Sequence, residues 1–263
     1  MDILWTSFII GISLFLLWQV LFILPTKWFK VERIQWSSHE KKKIIQISDL
    51  HIRNMRVPLS KIQQLIKRER PDFIFLTGDF IDRNEQELPK LREFLQMIKE
   101  TNVESYAVLG NHDRHLTNLE LLENLFQAHD IRLLKNEFVE KEDCIIVGID
   151  DYGRGHHDLE KSFAFTNPSG KDVLVLTHDP NILNEFEQNF SVFVAGHLHG
   201  KQVNIPYFFH FVDMGELPKK GIYKGKYETE RGPIYISKGI GQSHLNFRFL
   251  VRSEITIHEL GGS

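Results

Sequence analysis

The hydrophobic residues of the chain alternate between two patterns from residue 41 onward. Short runs of consecutive apolar residues occur at 44–47, 73–76, 106–109, 145–147, 173–176, 192–194 and 234–236. Runs of this kind are typical of strands that are buried on both faces of a sheet. Between them, apolar residues recur at helical spacing at 59–66, 88–98 and 119–126. This alternation predicts an α/β domain in which helices cover the faces of the sheet.

The beginning of the chain has a different pattern. Residues 3–24 form a run of 22 residues without a charge, and about 20 apolar residues cross the hydrocarbon core of a bilayer. A cleaved signal peptide is the alternative, but it has a positive start, a shorter apolar core and a small-residue cleavage site. Because this chain begins Met1-Asp2 and offers no such site, we predict a retained transmembrane anchor over residues 1–24.

Positive charges follow the apolar run and none precedes it. Lys27, Lys30, Arg33 and residues 41–43 supply them. By the positive-inside rule, the rest of the chain is expected in the cytoplasm, attached to the cell membrane by a single span. We interpret 25–40 as a juxtamembrane linker, solvated from 31 to 40, and 41–263 as one domain, since no repeat or low-complexity segment interrupts it.

Composition excludes several other classes of protein. The hydrophobic content of 42% and charged content of 25% are those of a globular protein with a core. The net charge of −3 argues against a stable nucleic-acid partner, because such proteins have a strongly basic face. The single cysteine, Cys144, excludes a cysteine-rich metal cage and an internal disulfide, and its apolar surroundings predict a buried core residue.

Polar clusters directly follow five of the apolar runs. They are Asp49-Leu50-His51, Gly78-Asp79-Phe80-Ile81-Asp82, Gly110-Asn111-His112-Asp113, His178-Asp179 and Gly196-His197-Leu198-His199-Gly200. Ligands of open α/β sheets gather beyond the carboxyl ends of the strands, so these clusters are expected to share one edge. Carboxylates, imidazoles and an amide suit a pair of metal ions, which can clamp the oxygens of a phosphate under attack.

The order of these motifs resembles that of the calcineurin-like metallophosphoesterase superfamily. Residues 235–241 and Arg248-Phe249 extend the likeness to a membrane-anchored bacterial branch, which resembles enzymes that hydrolyse nucleotide-linked lipids such as UDP-diacylglucosamine. The resemblance implies a four-layer αββα sandwich with a dinuclear metal site at the edge of two facing sheets.

The same resemblance implies a role for each polar residue. One metal ion is expected to bind Asp49, His51 and His199. The other is expected to bind Asn111, His178 and His197. Asp79 is expected to bridge the two ions.

Catalysis and substrate contacts are implied in the same way. His112 is expected to protonate the leaving oxygen, and Asp82 to orient His112. Lys238 and Arg248 are candidate contacts to the substrate phosphate, although a plain surface arginine is an equal interpretation of Arg248.

Several segments have two interpretations. The aromatic stretch 205–212 is expected to pack over the core, and the alternative is an apolar lip that meets lipid. The loop with Asp150-Asp151 and His156-His157 is expected to be solvated, and the alternative is an added charge near the site. His244 lies in a glycine-rich loop that could approach the site.

The leading functional hypothesis is a metal-dependent phosphodiesterase or pyrophosphohydrolase at the membrane, with a phosphate-ester substrate such as a nucleotide-linked lipid. A phosphodiesterase for soluble nucleotides or cyclic nucleotides is the alternative. A non-catalytic metal-binding scaffold on the membrane is a third hypothesis, disfavoured because no ligand of the motif set is missing. Nitrogen and oxygen ligands suit Mn, Fe or Zn, with Mg less favoured beside so many imidazoles.

Overall fold

Two mixed six-stranded sheets form the centre of the molecule. In the computed structural model, which describes residues 2–38, 40–82, 84–205 and 214–261, the first sheet has the order β1-β12-β2-β3-β4-β5. Its strands are β1 Lys30–Trp36, β2 Lys43–Ile47, β3 Phe73–Thr77, β4 Glu104–Val108, β5 Ile131–Leu133 and β12 Glu254–Leu260. The strands β2 to β5 run parallel, whereas β12 is antiparallel to β2.

The second sheet has the order β10-β11-β9-β8-β7-β6. Its strands are β6 Glu137–Glu140, β7 Cys144–Gly148, β8 Asp172–Leu176, β9 Val192–Ala195, β10 Gly225–Thr229 and β11 Gly232–Ile236. The inner strands β7, β8, β9 and β11 are parallel, and the two edge strands are antiparallel to their neighbours. All seven apolar runs therefore fall in strands, as predicted, except that Leu109 directly follows the end of β4.

Helices cover the outer faces of the two sheets. The described helices are α1 Asp2–Trp18, α2 Leu24–Lys27, α3 Leu59–Glu69, α4 Leu88–Lys99, α5 Leu119–Ala128, α6 Leu159–Ser162 and α7 Glu216–Lys219, with a π-helical turn at Gln19–Ile23. The apolar faces of α3, α4 and α5 pack on the first sheet. Short helical turns, among them a 3₁₀ turn at Pro180–Glu185, cover the second sheet. The four-layer αββα sandwich is confirmed.

The two sheets face each other across an apolar cluster that is separate from the two clusters beneath the helices. Phe75 and Tyr106 of the first sheet pack there against Leu174 and Tyr235 of the second, and Cys144 is buried in the same cluster, as expected. The two sheets therefore share one apolar core between their inner faces.

Residues 30–36 were expected to belong to the juxtamembrane linker, with 31–36 in its solvated part, and that interpretation is wrong for them. They form β1, which pairs with β12 in seven register positions. Charged residues hide the strand in the sequence. Arg33 is exposed, and its guanidinium pairs with Glu69 and Glu259 at 2.7 and 3.0 Å. The division of the chain into an anchor and one domain otherwise stays a prediction.

A buried polar chain fixes β1 to the rest of the core. The Trp36 indole donates a hydrogen bond to His258 Nδ1 at 3.1 Å, and His258 Nε2 in turn donates to Gln46 Oε1 at 3.0 Å. Gln46 then donates to the Ala195 carbonyl of the second sheet at 2.9 Å. Burial lowers the pKa of His258 to about 3, so its imidazole is neutral and this donor order is maintained.

The N-terminal helical segment extends away from the sheets. Residues Ile3–Lys27 are long and apolar enough to cross a membrane by length and composition. Most of its large apolar side chains are exposed, whereas Ile23 and Thr26 near its end are buried against the sandwich.

We expect Trp36→Ala to lower the free energy of unfolding by about 3–5 kcal/mol, because it removes a core tryptophan that is 1% exposed. Trp28→Ala is the matched control, since Trp28 is 60% exposed, and its effect should stay within about 0.5 kcal/mol. Urea titration of the detergent-solubilised protein measures both. Equal, small effects would restore the linker interpretation of residues 30–36.

Candidate metal centre

The predicted metal ligands lie on loops at the ends of the parallel strands. Five of the seven adopt a positive φ, which non-glycine residues rarely do: Asp49 at 51°, His51 at 38°, Asp79 at 54°, His197 at 71° and His199 at 47°. Each such residue costs on the order of 1–3 kcal/mol, and residues of this kind cluster at functional sites. The surrounding fold therefore holds these five residues in backbone conformations that their residue types disfavour.

One group of ligand atoms joins both sheets. Atoms of Asp49, His51, Asp79 and His199 all lie within 4.8 Å of one another. His199 Nε2 is 3.2 Å from His51 Nε2 and 3.4 Å from Asp49 Oδ1. Two imidazole nitrogens and two carboxylates that face one point form a donor set suited to a divalent cation.

A second group lies beside the first. It contains Asp79, His178 and His197. His178 Nε2 is 3.2 Å from His197 Nδ1 and 3.2 Å from the amide oxygen of Asn111. The structure thus brings together all seven residues that the sequence nominated as ligands.

The carboxylate of Asp79 belongs to both groups. Its Oδ2 lies 3.5 Å from His51 Nε2 in one group and 3.3 Å from His178 Nε2 in the other. Its second oxygen accepts a hydrogen bond from the His112 backbone amide at 2.9 Å. One oxygen therefore faces both donor sets while the other is held by the neighbouring loop.

Hydrogen bonds on the outer side orient two of the imidazoles. His51 Nδ1 donates to Asp82 Oδ1 at 2.5 Å, and His178 Nδ1 donates to the Thr77 carbonyl at 2.9 Å. Each bond fixes the tautomer in which Nε2 has no proton, so that its lone pair is available to a metal ion. Such outer partners are typical of metal-binding histidines.

Burial and neighbouring charge set the protonation of the ligands. Burial raises the pKa of the Asp79 carboxyl, but the His178, His51 and His112 imidazoles outweigh it and hold that pKa well below its usual range. Burial lowers the pKa of His178, yet Asp79 and Asp49 hold it well above the usual range. A cation that binds between these groups takes the place of a proton.

Asp113 locks two of the ligand loops to each other, a role that the sequence did not reveal beyond its place in the Gly-Asn-His-Asp motif. Its buried carboxylate accepts hydrogen bonds from the backbone amides of Asp79, Phe80 and Gly110 at 2.8–2.9 Å. The loops approach so closely that a Cβ on Gly110 would lie 2.2 Å from Asp79 Oδ1. No larger residue fits there.

The candidate acid and its partner lie at the edge of the first group. His112 Nδ1 is 3.6 Å from Asp82 Oδ1, a longer distance than the 2.5 Å from that oxygen to His51 Nδ1. Asp82 thus contacts a metal-ligand candidate more closely than it contacts His112. Its orienting role toward His112 stays a prediction.

Both candidate phosphate contacts are engaged within the protein in this structure, and the substrate-binding role of Arg248 and Lys238 stays a prediction. Arg248 is fully buried, and its guanidinium donates to the carbonyls of Lys238, Gly239 and Gly241 at 2.7–3.0 Å. The alternative interpretation of Arg248 as a plain surface arginine is wrong, because the residue is buried. The ammonium of Lys238 pairs with Glu32 at 2.9 Å and with the buried Glu254.

A cleft of about 360 Å³ opens beside His112 and Asp82. His244 lines it, with its ring centroid 5.6 Å from that of His112, so the glycine-rich loop does approach the site. Arg53 and Asn54 also line it. Sequence reasoning missed both, although they lie within three residues of the Asp-x-His motif.

A second cleft of about 500 Å³ lies on the side of Asn111 and His197, where Tyr152 and Arg154 contribute. The preceding residues, Asp150 and Asp151, are buried, so the expectation of a solvated loop is wrong for them. Asp150 accepts a hydrogen bond from Arg114 at 3.2 Å. Burial raises the pKa of the Asp151 carboxyl.

His156 is exposed, as expected. The aromatic stretch 205–212 lies outside the described residues from 206 onward. Its two interpretations therefore stay open.

Comparisons with known proteins agree with this geometry. The family model for the calcineurin-like phosphoesterases matches residues 42–201. The metallophosphoesterase YkoQ of Bacillus subtilis is 34% identical, over 85% of this chain and 85% of its own length. YkuE of the same organism is 26% identical, over 83% of this chain and 78% of its own length.

A relative with a more specific name is the UDP-2,3-diacylglucosamine pyrophosphatase LpxG of Chlamydia muridarum. It is 26% identical to this chain, over 87% of this chain and 88% of its own length. The fold, the motif order and the extent of these matches agree with one another. The chain therefore belongs to the calcineurin-like phosphoesterase family.

Proposed function

We propose that the protein hydrolyses phosphoric esters or phosphoanhydrides with two divalent cations held by Asp49, His51, Asp79, Asn111, His178, His197 and His199. The observation that carries this proposal is the single oxygen of Asp79 that lies within 3.5 Å of an imidazole nitrogen in each donor group. Membership of a hydrolase family supports the same activity.

The donor groups determine what the bound ions contribute. Divalent cations supply positive charge that offsets the charge on a phosphate and on an attacking oxygen. Nitrogen and oxygen donors suit Mn, Fe or Zn better than Mg. Asp79 and Asp49 contribute two negative charges to the paired site, so a net positive charge remains for the substrate.

His112 is proposed as the proton donor to the leaving oxygen. Its backbone amide is fixed to Asp79 Oδ1, and its imidazole lines the cleft next to the first donor group. A general acid must lie within reach of the leaving oxygen without being consumed as a ligand. Asp82, 3.6 Å from His112 Nδ1, is proposed to favour the protonated imidazole.

We further propose that the substrate is linked to a lipid and that the protein acts at a membrane. An apolar helix of 25 residues supports the membrane location, and the name of the LpxG relative supports a nucleotide-linked lipid. The orientation with the catalytic domain in the cytoplasm stays a prediction from the distribution of Lys and Arg.

The dinuclear assignment predicts unequal effects of two ligand substitutions. Asp79→Asn should weaken the binding of both cations, because it removes charge from the shared oxygen. Asn111→Ala should mainly weaken the binding of one cation. Metal content per protein chain, measured by mass spectrometry after dialysis, distinguishes them. Two cations retained at full affinity in Asp79→Asn would contradict the shared site.

The substrate class is tested with purified full-length protein loaded with Mn²⁺. We expect hydrolysis of a UDP-linked lipid and of phosphodiesters, with Asp79→Asn as the inactive control. Preference for soluble or cyclic nucleotides would support the alternative phosphodiesterase. Cation binding without hydrolysis of any compound, phosphomonoesters included, would support the non-catalytic scaffold.

The role of His112 predicts a dependence on the leaving group. His112→Ala should keep its cations and lose about 10²–10⁴-fold in rate on an alkyl phosphodiester, which needs protonation of the departing oxygen. A nitrophenyl phosphodiester should lose much less, because nitrophenolate departs as a stable anion. Equal losses on both compounds, or loss of cations, would remove His112 from the acid role.

A further inference from the structure

Exposed apolar side chains gather around the end of the N-terminal helix. Outside residues 3–27, the large hydrophobic residues exposed in the described part of the chain are Trp28, Leu121, Ile205, Leu245 and Leu250. All but Leu121 lie at the helix end, on a loop that contacts it, or on a segment that is hydrogen-bonded to that loop. Exposed apolar groups that are concentrated in one area mark an interaction surface.

Aromatic stacking and a backbone hydrogen bond join one of these loops to the helix, and a further hydrogen bond joins the second loop to the first. The Phe22 ring stacks on Phe249 at 4.9 Å and meets Phe247 edge-on at 5.3 Å. The backbone amide of Arg248 donates to the Phe22 carbonyl at 3.1 Å. Asn204 donates to the Phe249 carbonyl at 3.0 Å, so Ile205 lies beside the same segment.

We call the residues Trp28, Ile205, Leu245 and Leu250 the exit rim. Positive charge accompanies it. The Arg252 guanidinium stacks over the Trp28 ring at 4.1 Å. Arg56 donates to Thr26 Oγ1 at 3.2 Å and to the Asn246 carbonyl at 2.8 Å. Apolar and basic groups that alternate around a helix exit complement the interface of an anionic bilayer.

The loop that carries the exit rim also reaches the metal centre. Leu245 directly follows His244, whose ring lines the cleft next to His112. Leu250 lies two residues beyond Arg248, which donates to the backbone carbonyl of the ligand candidate His199 at 3.4 Å. His244 of the cleft and Leu245 of the rim are thus consecutive residues of one loop.

We infer that the exit rim inserts into the interface of an anionic bilayer, so that the cleft beside His112 opens at the membrane surface. This rests on the proposed function, since it lets a phosphate in a lipid headgroup reach the cations while the acyl chains stay in the bilayer. A bilayer is favoured over a second copy of the chain for two reasons. The rim continues the apolar surface of the N-terminal helix, and Arg252 and Arg56 contact residues in or next to the rim. The helix therefore orients the domain as well as tethering it.

Site-directed fluorescence tests the location of the rim without any knowledge of the substrate. Cys144 is the single cysteine and is buried, so Leu245→Cys and Leu250→Cys can be labelled selectively with an environment-sensitive dye. The matched control is Leu121→Cys, whose native leucine is 42% exposed on α5. All three are made in the full chain, reconstituted into phosphatidylglycerol-containing vesicles, and checked for unchanged cation content.

We expect nitroxide-labelled lipid to quench the dyes at 245 and 250 at least threefold more than the dye at 121, and aqueous iodide to show the reverse order. Equal quenching by iodide at all three positions would overturn the inference. Protection at 250 from both quenchers, together with cross-linking between chains, would assign the surface to a second copy and would also overturn it.

A kinetic arm separates the rim from the chemistry. Leu250→Glu should raise the KM for a UDP-linked lipid in vesicles at least fivefold and leave the rate on soluble bis(4-nitrophenyl) phosphate within about twofold, whereas Leu121→Glu should change neither. Equal effects of the two glutamates on the lipid substrate would contradict the rim. If no lipid is hydrolysed by the unmodified protein, the proposed function fails, and the quenching result still decides the location of the rim.

Discussion

A carboxylate buried between imidazoles is the interaction on which the site depends. Asp79 is nearly inaccessible to solvent, and a charge in such a place is costly unless partners surround it. Its partners come from both sheets: His51 follows β2 of the first sheet, and His178 follows β8 of the second. The packing of the two sheets therefore sets the separation of the donor groups, and any shift between the sheets changes both groups at once.

The loops around Asp79 are unfavourable structures that the sandwich supports. Five ligand residues have a positive φ, and Gly110 leaves no room for a Cβ next to the carboxylate. Asp113 offsets part of this cost by satisfying several buried backbone amides with one side chain. Arg248 does the same for the carbonyls of Lys238 and Gly241, so this buried guanidinium has a structural role inside the protein.

Sequence patterns were sufficient where local chemistry determines the outcome. Continuous apolar runs predicted the buried strands, because a strand covered on both faces has no polar position to interrupt the run. The motif set predicted which seven residues converge, since each follows such a strand. β1 was missed because an edge strand with Lys30, Glu32 and Arg33 has the composition of a linker. The ion pairs of Lys238 could not be predicted, because its partners, Glu32 and Glu254, are distant in sequence and adjacent only in the fold.

The position of β12 has a consequence for the order in which the protein assembles. β12 lies between β1 and β2, and it separates the two earliest strands of the chain. While the protein is being synthesised, β1 has no strand to pair with until residues 254–260 have emerged. Until then, β2, which leads into Asp49 and His51, also lacks one of its two neighbouring strands. The membrane helix can thus be inserted long before the first sheet is complete. Contacts between such distant segments form slowly, so the metal centre is expected to mature after translation, on a domain already attached to the bilayer.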